Sequence, residues 1–335
     1  MVEKKKNLAV ETLRGLAILL VVVGHVIGST PDGGMKIDFP HPLRYLYLWI
    51  DYIQMPLFTA IAGWAYAIKP FVAQGGVWTF LSKKASRLLV PMVVVGTMYF
   101  LVQYMVPGTN AKGNWSDLWR IYIFPYTLYW YLPSLFLIFV VQYAVDKLRL
   151  MKNGGGWFCC LLVAFALRSM MKFGVLMDDV PNILSFKGAL GQLPYFFLGV
   201  GVVRFKEKLY TDKLRHVTGG MMLVGILLLQ VEWIYPVSIV YLEYLQPIWI
   251  MFTLMLLFAI KWRSSLFPRL GEYAYAIYLF HGFCTSGGRI ICNKAGCDSY
   301  VVILILSTVL AVLFPIMIAE IGKRVPWFRK LFLGG

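Results

Sequence analysis

The chain has 335 residues, of which 59% are hydrophobic and only 14% charged, with a mean hydropathy of +0.70 and a formal net charge of +16. A water-soluble domain is ordinarily about half apolar and a quarter charged, so this composition excludes an ordinary soluble core. Apolar runs of roughly 17 to 25 residues recur from end to end with polar segments between them, the pattern of helices that cross a bilayer.

The first run, 8–28, follows the basic start Lys4, Lys5 and Lys6. It carries Arg14 and lacks a small-x-small cleavage site ahead of a soluble domain, so it reads as a retained helix and not a signal peptide. Nine further runs follow at 45–68, 88–106, 121–145, 156–173, 188–203, 217–234, 244–261, 272–291 and 300–322. Together they predict an all-α polytopic membrane protein with about ten spans in one bundle. Pro236 follows the seventh span, so an irregular stretch is expected over 231–244, where protein or water can satisfy its backbone. No polar stretch exceeds a loop in size and no internal repeat is visible. Residues 1–335 are therefore expected to form one membrane domain with no appended soluble domain.

Ten spans put both termini on one side. More than two thirds of the 32 Lys and Arg residues lie at the two chain ends and in the alternate loops between them. The positive-inside rule then places both termini in the cytoplasm. This distribution accounts for the net charge, so the partner it implies is a lipid bilayer and not a nucleic acid. Trp115, Trp119, Trp233, Tyr235 and Trp327 near span ends fit the aromatic belts of the two interfaces. Among the five cysteines, Cys159, Cys160 and Cys284 fall in apolar segments, and there is no metal-ligand spacing. Cys292 and Cys297 share a short outer loop in which a disulfide is open to them if that side is oxidising.

The densest chemical signal lies in the first span, where Arg14 and His25 are eleven residues apart. At about 100° per residue this is nearly three turns, so the two share a helix face about 16 Å apart along the axis. Ionisable groups within a span are costly and ordinarily face a polar cavity or a partner. For Arg14 the plain alternative is a snorkelling residue paired with Glu11; for His25 it is a structural hydrogen bond.

An arginine, ten intervening residues and a histidine in the first helix resemble the acyltransferase 3 family of membrane acyltransferases. Four later segments are similar in the same order. They are Met55-Pro-Leu-Phe-Thr-Ala-Ile-Ala-Gly-Trp64, Lys84-Ala-Ser-Arg-Leu-Leu-Val-Pro91, Trp130-Tyr-Leu-Pro-Ser-Leu-Phe136 and Leu270-Gly-Glu-Tyr-Ala-Tyr-Ala-Ile-Tyr-Leu-Phe-His281. The chain departs from the family at Ala62 and Ala274, where Ser is frequent, and at Lys84, where Arg is frequent. The resemblance implies a bacterial inner or plasma membrane enzyme that moves an acyl group, in the first instance acetyl, from cytoplasmic acyl-CoA to a hydroxyl of a surface or lipid-linked carbohydrate. It implies acetyl-CoA as donor substrate with no permanently bound cofactor.

Acyl transfer to a hydroxyl needs a base, and neutral imidazole titrates in the right range. His25 is the candidate base, and transient acylation of His25 is open as well. Asp51, in the second span, is a candidate to orient His25 or to bind a sugar hydroxyl, with a structural ion pair as the alternative. Coenzyme A is a polyanion, and Arg14, Lys84 and Arg87 are the candidate cations for its phosphates; positive-inside anchoring is the plain reading of the latter two. Trp130, Tyr131 and His281 are candidates for acceptor contact, against bundle core for the aromatics and a core histidine for His281. His41 and His216 lie in loops and receive no role. A transporter or exporter with Arg14, His25 and Asp51 along its path would predict flux without thiol release. A scaffold would predict that His25 substitutions change stability alone.

Overall fold

The computed structural model describes residues 7–70, 76–107, 109, 112–172, 174, 177–234 and 240–335, with 229, 231–234 and 240–245 by backbone alone. It is helical, with no strand among the described residues. The chain runs through α1 (Leu8–Ile27), α2 (Pro42–Ile68), α3 (Val77–Met105), the single turn α4 (Arg120–Ile123) and α5 (Tyr131–Lys147). It continues through α6 (Gly154–Lys172), α7 (Phe186–Arg204), the turn α8 (Lys206–Leu209), α9 (Asp212–Ile234) and α10 (Val240–Ile260). The last part is α11 (Phe267–Phe280), the short α12 (Gly282–Thr285) and α13 (Gly287–Lys294), α14 (Tyr300–Lys323) and α15 (Pro326–Phe332). Of the irregular stretch expected over 231–244, residues 231–234 are helical in α9 and 240–244 in α10, while 235–239, with Tyr235 and Pro236, and the side chain of Trp233 lie outside the described residues, as do Lys4, Lys5 and Lys6.

Six helical stretches among the described residues are long and apolar enough to cross a membrane: Leu8–Ile27, Val77–Met105, Trp115–Lys147, Gly154–Lys172, Ile183–Arg204 and Tyr300–Lys323. With these spans the chain is a multi-pass membrane protein. Three expected boundaries change. The third span begins at Val77 and not near residue 88, so Lys84, Arg87 and Pro91 all lie inside α3. The fourth is interrupted at 124–126 and resumes through a 3-10 turn at Thr127–Trp130. The expected single span 272–291 is divided among α11, α12 and α13.

Asn7 caps α1, its side chain accepting from the backbone N–H groups of Ala9 and Val10. Ala17, Ile18, Val21 and Val22 on α1 are fully buried, as expected of a central helix that is apolar almost all round. It packs on α2, α11 and α14, while α2 packs on α7, and α6 covers the other side of α7. Close backbone approach allows this. The carbonyl of Phe267 occupies the place a Cβ on Gly15 would take, and Gly199 of α7 lies as tightly against the Ala60 carbonyl of α2. Lipid gives helices no hydrophobic drive to associate, so such small-residue contacts carry the packing. Arg204 of α7 binds Asp146 of α5 through two bonds of 2.7 Å, and Asp146 also accepts from Tyr66 and Gln142 at 3.0 Å. All five cysteines are free thiols, Cys292 and Cys297 included.

Several interruptions of the helices are met by side chains. Pro91 has no N–H to offer the carbonyl four residues back, which belongs to Arg87. The Tyr275 hydroxyl donates to that carbonyl and so ties α11 to α3. The Tyr278 hydroxyl donates to the carbonyl of Leu128 in the 3-10 turn. At the end of α11 the Leu279 carbonyl accepts from the Tyr129 hydroxyl at 2.9 Å, and the Tyr278 carbonyl faces His281 Nδ1 at 2.8 Å. Irregular backbone survives inside such a bundle only where protein groups complete its bonding.

Candidate active site

Among the described residues, two large cavities lie at opposite ends of α1. At the end where α1 begins, a cavity of about 410 Å³ is lined by Arg14, Lys69, Lys84 and Arg87, with Glu272 beside them. Its inner wall is apolar and aromatic and includes Leu132, Tyr131 and Tyr278. Where α1 ends, a cavity of about 480 Å³ is lined by His25, Asp51, Gln54, Gln103, Tyr99 and Trp130 among others, and none of its lining residues is Lys or Arg. Tyr278 lines both. The two cavities thus share Tyr278 as a lining residue, with cations lining one and an imidazole the other.

His25 stands in the last turn of α1 and is half-buried. The helix end that carries it is fixed by Arg44, whose guanidinium donates to the carbonyls of Gly28 and Ser29 at 2.6 Å each. A cation at a helix C-terminus suits the partial negative charge of those free carbonyls. His25 faces a second imidazole, His281, with ring centroids 5.0 Å apart and planes inclined at 46°.

In the cation-lined cavity, Arg14 Nη1 reaches Glu11 Oε2 at 3.0 Å while the same residue lines the cavity. The pairing expected for a structural residue and the cavity position expected for a ligand contact are therefore both present. Lys84 lies with its ammonium 3.5 Å from the centroid of the Phe139 ring, which aims a flexible side chain. Lys84 and Arg87 share the lining as neighbours three apart on α3. Nearer the middle, the Tyr131 hydroxyl is 3.2 Å from Thr59 Oγ1, which is 3.1 Å from Gln192 Oε1.

The family model described as an acyltransferase domain, of the acyltransferase 3 type, matches residues 7–320. The chain belongs to the acyltransferase 3 family. No curated protein and no solved structure matches it. With its apolar helices it is a membrane acyltransferase, and its bundle brings most of the expected residues to the two cavities. Arg14, Lys84 and Arg87 gather in one; His25, Asp51 and Trp130 gather in the other.

Three placements in the acyltransferase differ from the sequence reading. Tyr131, expected against the acceptor with Trp130, lines the cation cavity instead, because adjacent residues on a helix point about 100° apart. His281 is fully buried and lines neither cavity, with its ring against that of His25. Asp51 accepts from Tyr47 at 3.2 Å and from Gln54 at 3.0 Å and makes no bond to His25; it lines the same cavity as His25, and the Arg44 guanidinium lies 4.7 Å from the ring centroid of the adjoining Tyr47. Tyr275 and Tyr278 line the cation cavity as well, beyond the residues expected from the sequence. Their signal was present, since Tyr275, Tyr278 and His281 recur at three-residue spacing along one helix face.

Proposed function

We propose that this acyltransferase moves an acetyl group from cytoplasmic acetyl-CoA to a hydroxyl of a cell-surface or lipid-linked carbohydrate, in the plasma membrane of a bacterium. In this reading the chain crosses the membrane about ten times as a single domain, with both termini in the cytoplasm. The observation that carries it is the pair of cavities that share Tyr278, one cationic and one bearing His25.

The cation cavity is the donor site. Arg14, Lys84 and Arg87 hold the phosphates of coenzyme A, with the guanidinium groups as forks and Lys84 as a point charge. The apolar inner wall takes the pantetheine arm and brings the thioester toward Tyr278. The acceptor enters the other cavity, where Trp130 and Tyr99 offer faces for a sugar ring and Asp51, Gln54 and Gln103 offer hydrogen-bonding groups.

His25 then takes the proton of the acceptor hydroxyl as its oxygen attacks the thioester carbonyl. The carbon–oxygen bond forms, the carbon–sulfur bond breaks, and the proton passes to the departing thiolate, leaving an ester and free coenzyme A thiol. Holding both substrates against one base supplies the orientation that the reaction lacks in solution.

The test is thiol release from radiolabelled acetyl-CoA by the purified protein in lipid, for wild type, His25→Ala and Arg14→Ala at matched folding. Release is expected to fall about 100-fold or more with His25→Ala, the usual scale of a lost general base. Arg14→Ala is expected to act mainly on donor affinity. Release unchanged in His25→Ala, or label carried across the membrane with its thioester intact, would overturn the reading in favour of a different base or of transport.

A further inference from the structure

His281 is fully buried, and its Nδ1 lies 2.9 Å from the carbonyl oxygen of Ile277 and 2.8 Å from that of Tyr278. Carbonyl oxygens only accept, so the nitrogen facing two of them carries the proton. His281 is thereby fixed as the Nδ1–H tautomer, with a lone pair on Nε2. That Nε2 is buried and has no hydrogen-bond partner. A buried acceptor left without a donor is costly, and in native proteins such an atom calls for an explanation.

The neighbouring ring that can supply a donor is His25, with its centroid 5.0 Å away. Two imidazoles joined by an N–H···N bond of about 2.9 Å have centroids about 5 Å apart, so the spacing already suits such a bond. The rings stand at 46° without one, and rotation of the His25 side chain in its cavity supplies the alignment. Asp51, the carboxylate lining the same cavity, bonds Tyr47 and Gln54 and leaves His25 without an acidic partner.

We propose that His281 is a positioning residue whose Nε2 accepts an N–H of His25, fixing the tautomer in which the other nitrogen of His25 presents its lone pair to the cavity. The proposal rests on the acyl-transfer reading, in which that lone pair takes the acceptor proton. When His25 becomes imidazolium, its bond to His281 becomes charge-assisted and stronger, so the partner favours the protonated state without being charged itself. The backbone carbonyls at the end of α11 hold His281 Nδ1–H in turn, which gives the break between α11 and α12 a part in orienting the base.

Two substitutions separate positioning from structure. In His281→Asn the side-chain amide N–H replaces Nδ1–H toward the backbone carbonyls, but nothing occupies the place of Nε2. In His281→Gln an amide oxygen reaches the place of Nε2. At matched thermal stability, His281→Asn is expected to lower kcat for thiol release about 10- to 100-fold with KM for acetyl-CoA unchanged, and His281→Gln to retain kcat within about tenfold of wild type. Equal activities, or a more active Asn variant, would overturn the proposal.

A second readout needs neither donor nor acceptor. The chain has four histidines, so nitrogen NMR of histidine-labelled wild-type protein in lipid can resolve their tautomers. The expected spectrum shows His281 protonated at Nδ1 and an N–H of His25 coupled to His281 Nε2. His281 protonated at Nε2 would overturn the proposal whether or not the variants fold. Wild type that releases no thiol while showing the coupled pair would instead count against the acyl-transfer reading.

Discussion

Arg14 of α1 meets Lys84 and Arg87 of α3 in one cavity, and each is placed by a neighbour. Glu11 holds Arg14, the Phe139 ring lies under the Lys84 ammonium, and Tyr275 ties the backbone of Arg87 to α11. On the proposed reading, Lys84→Ala and Arg87→Ala each raise KM for acetyl-CoA about 10- to 100-fold with little change in kcat. A bond to a charged group contributes roughly 1.5–3 kcal/mol, and these act alike in the ground and transition states. Steady-state kinetics on the purified variants check this, and a loss confined to kcat would contradict it. The sequence disclosed Arg14 and His25 because a charge within an apolar run is conspicuous at any register. Tyr278 and His281 were harder to assign, because a tyrosine or histidine in an apolar helix has the same local pattern whether it packs, bonds a carbonyl or faces a ligand.

At the scale of elements, the existence and order of the helices followed from hydropathy, whereas their interruptions did not. The run 272–291 has no residue that must end a helix at 281, and the break there depends on Tyr129 and His281 completing the exposed carbonyls. Such compensation joins residues distant in sequence, so no local window contains it. The start of α3 was misplaced for a related reason: Lys83, Lys84 and Arg87 dilute the apolar signal, and only tertiary contacts show that the helix continues through them. The joint between α5 and α7 yields a quantitative expectation. Asp146 accepts from Arg204, Tyr66 and Gln142 in a largely buried setting, so Asp146→Asn leaves a guanidinium without its counter-charge and is expected to destabilise the fold by about 3 kcal/mol. Thermal unfolding in detergent or nanodiscs measures the change. Stability equal to wild type would show that the pair contributes nothing.

At the scale of the whole molecule, the charges divide with the cavities: four Lys and Arg residues line one and none lines the other, which carries Asp51 and His25. This asymmetry bears on the acceptor. A carboxylate brought about 4 Å from Asp51 meets a repulsion of roughly 1–4 kcal/mol in the range of effective dielectric found near water, offset in part by the Arg44 guanidinium, which lies over the ring of Tyr47, the Asp51 hydrogen-bond donor. An uncharged hexose unit is therefore expected to be acetylated at least about tenfold faster than the corresponding uronic acid, as measured by ester formation with matched oligosaccharides. Equal rates would mean that the reacting unit lies away from Asp51.

The central step of the proposed reaction is passage of an acyl group from the cation cavity to the His25 cavity. Sealed proteoliposomes with radiolabelled acetyl-CoA on the face of the cation cavity and a neutral oligosaccharide trapped on the other test it most directly. Wild type is expected to release free thiol on the donor face while labelled ester accumulates on the trapped sugar, and His25→Ala to do neither. Label arriving inside as intact acetyl-CoA, or ester forming equally well in His25→Ala, would contradict the account.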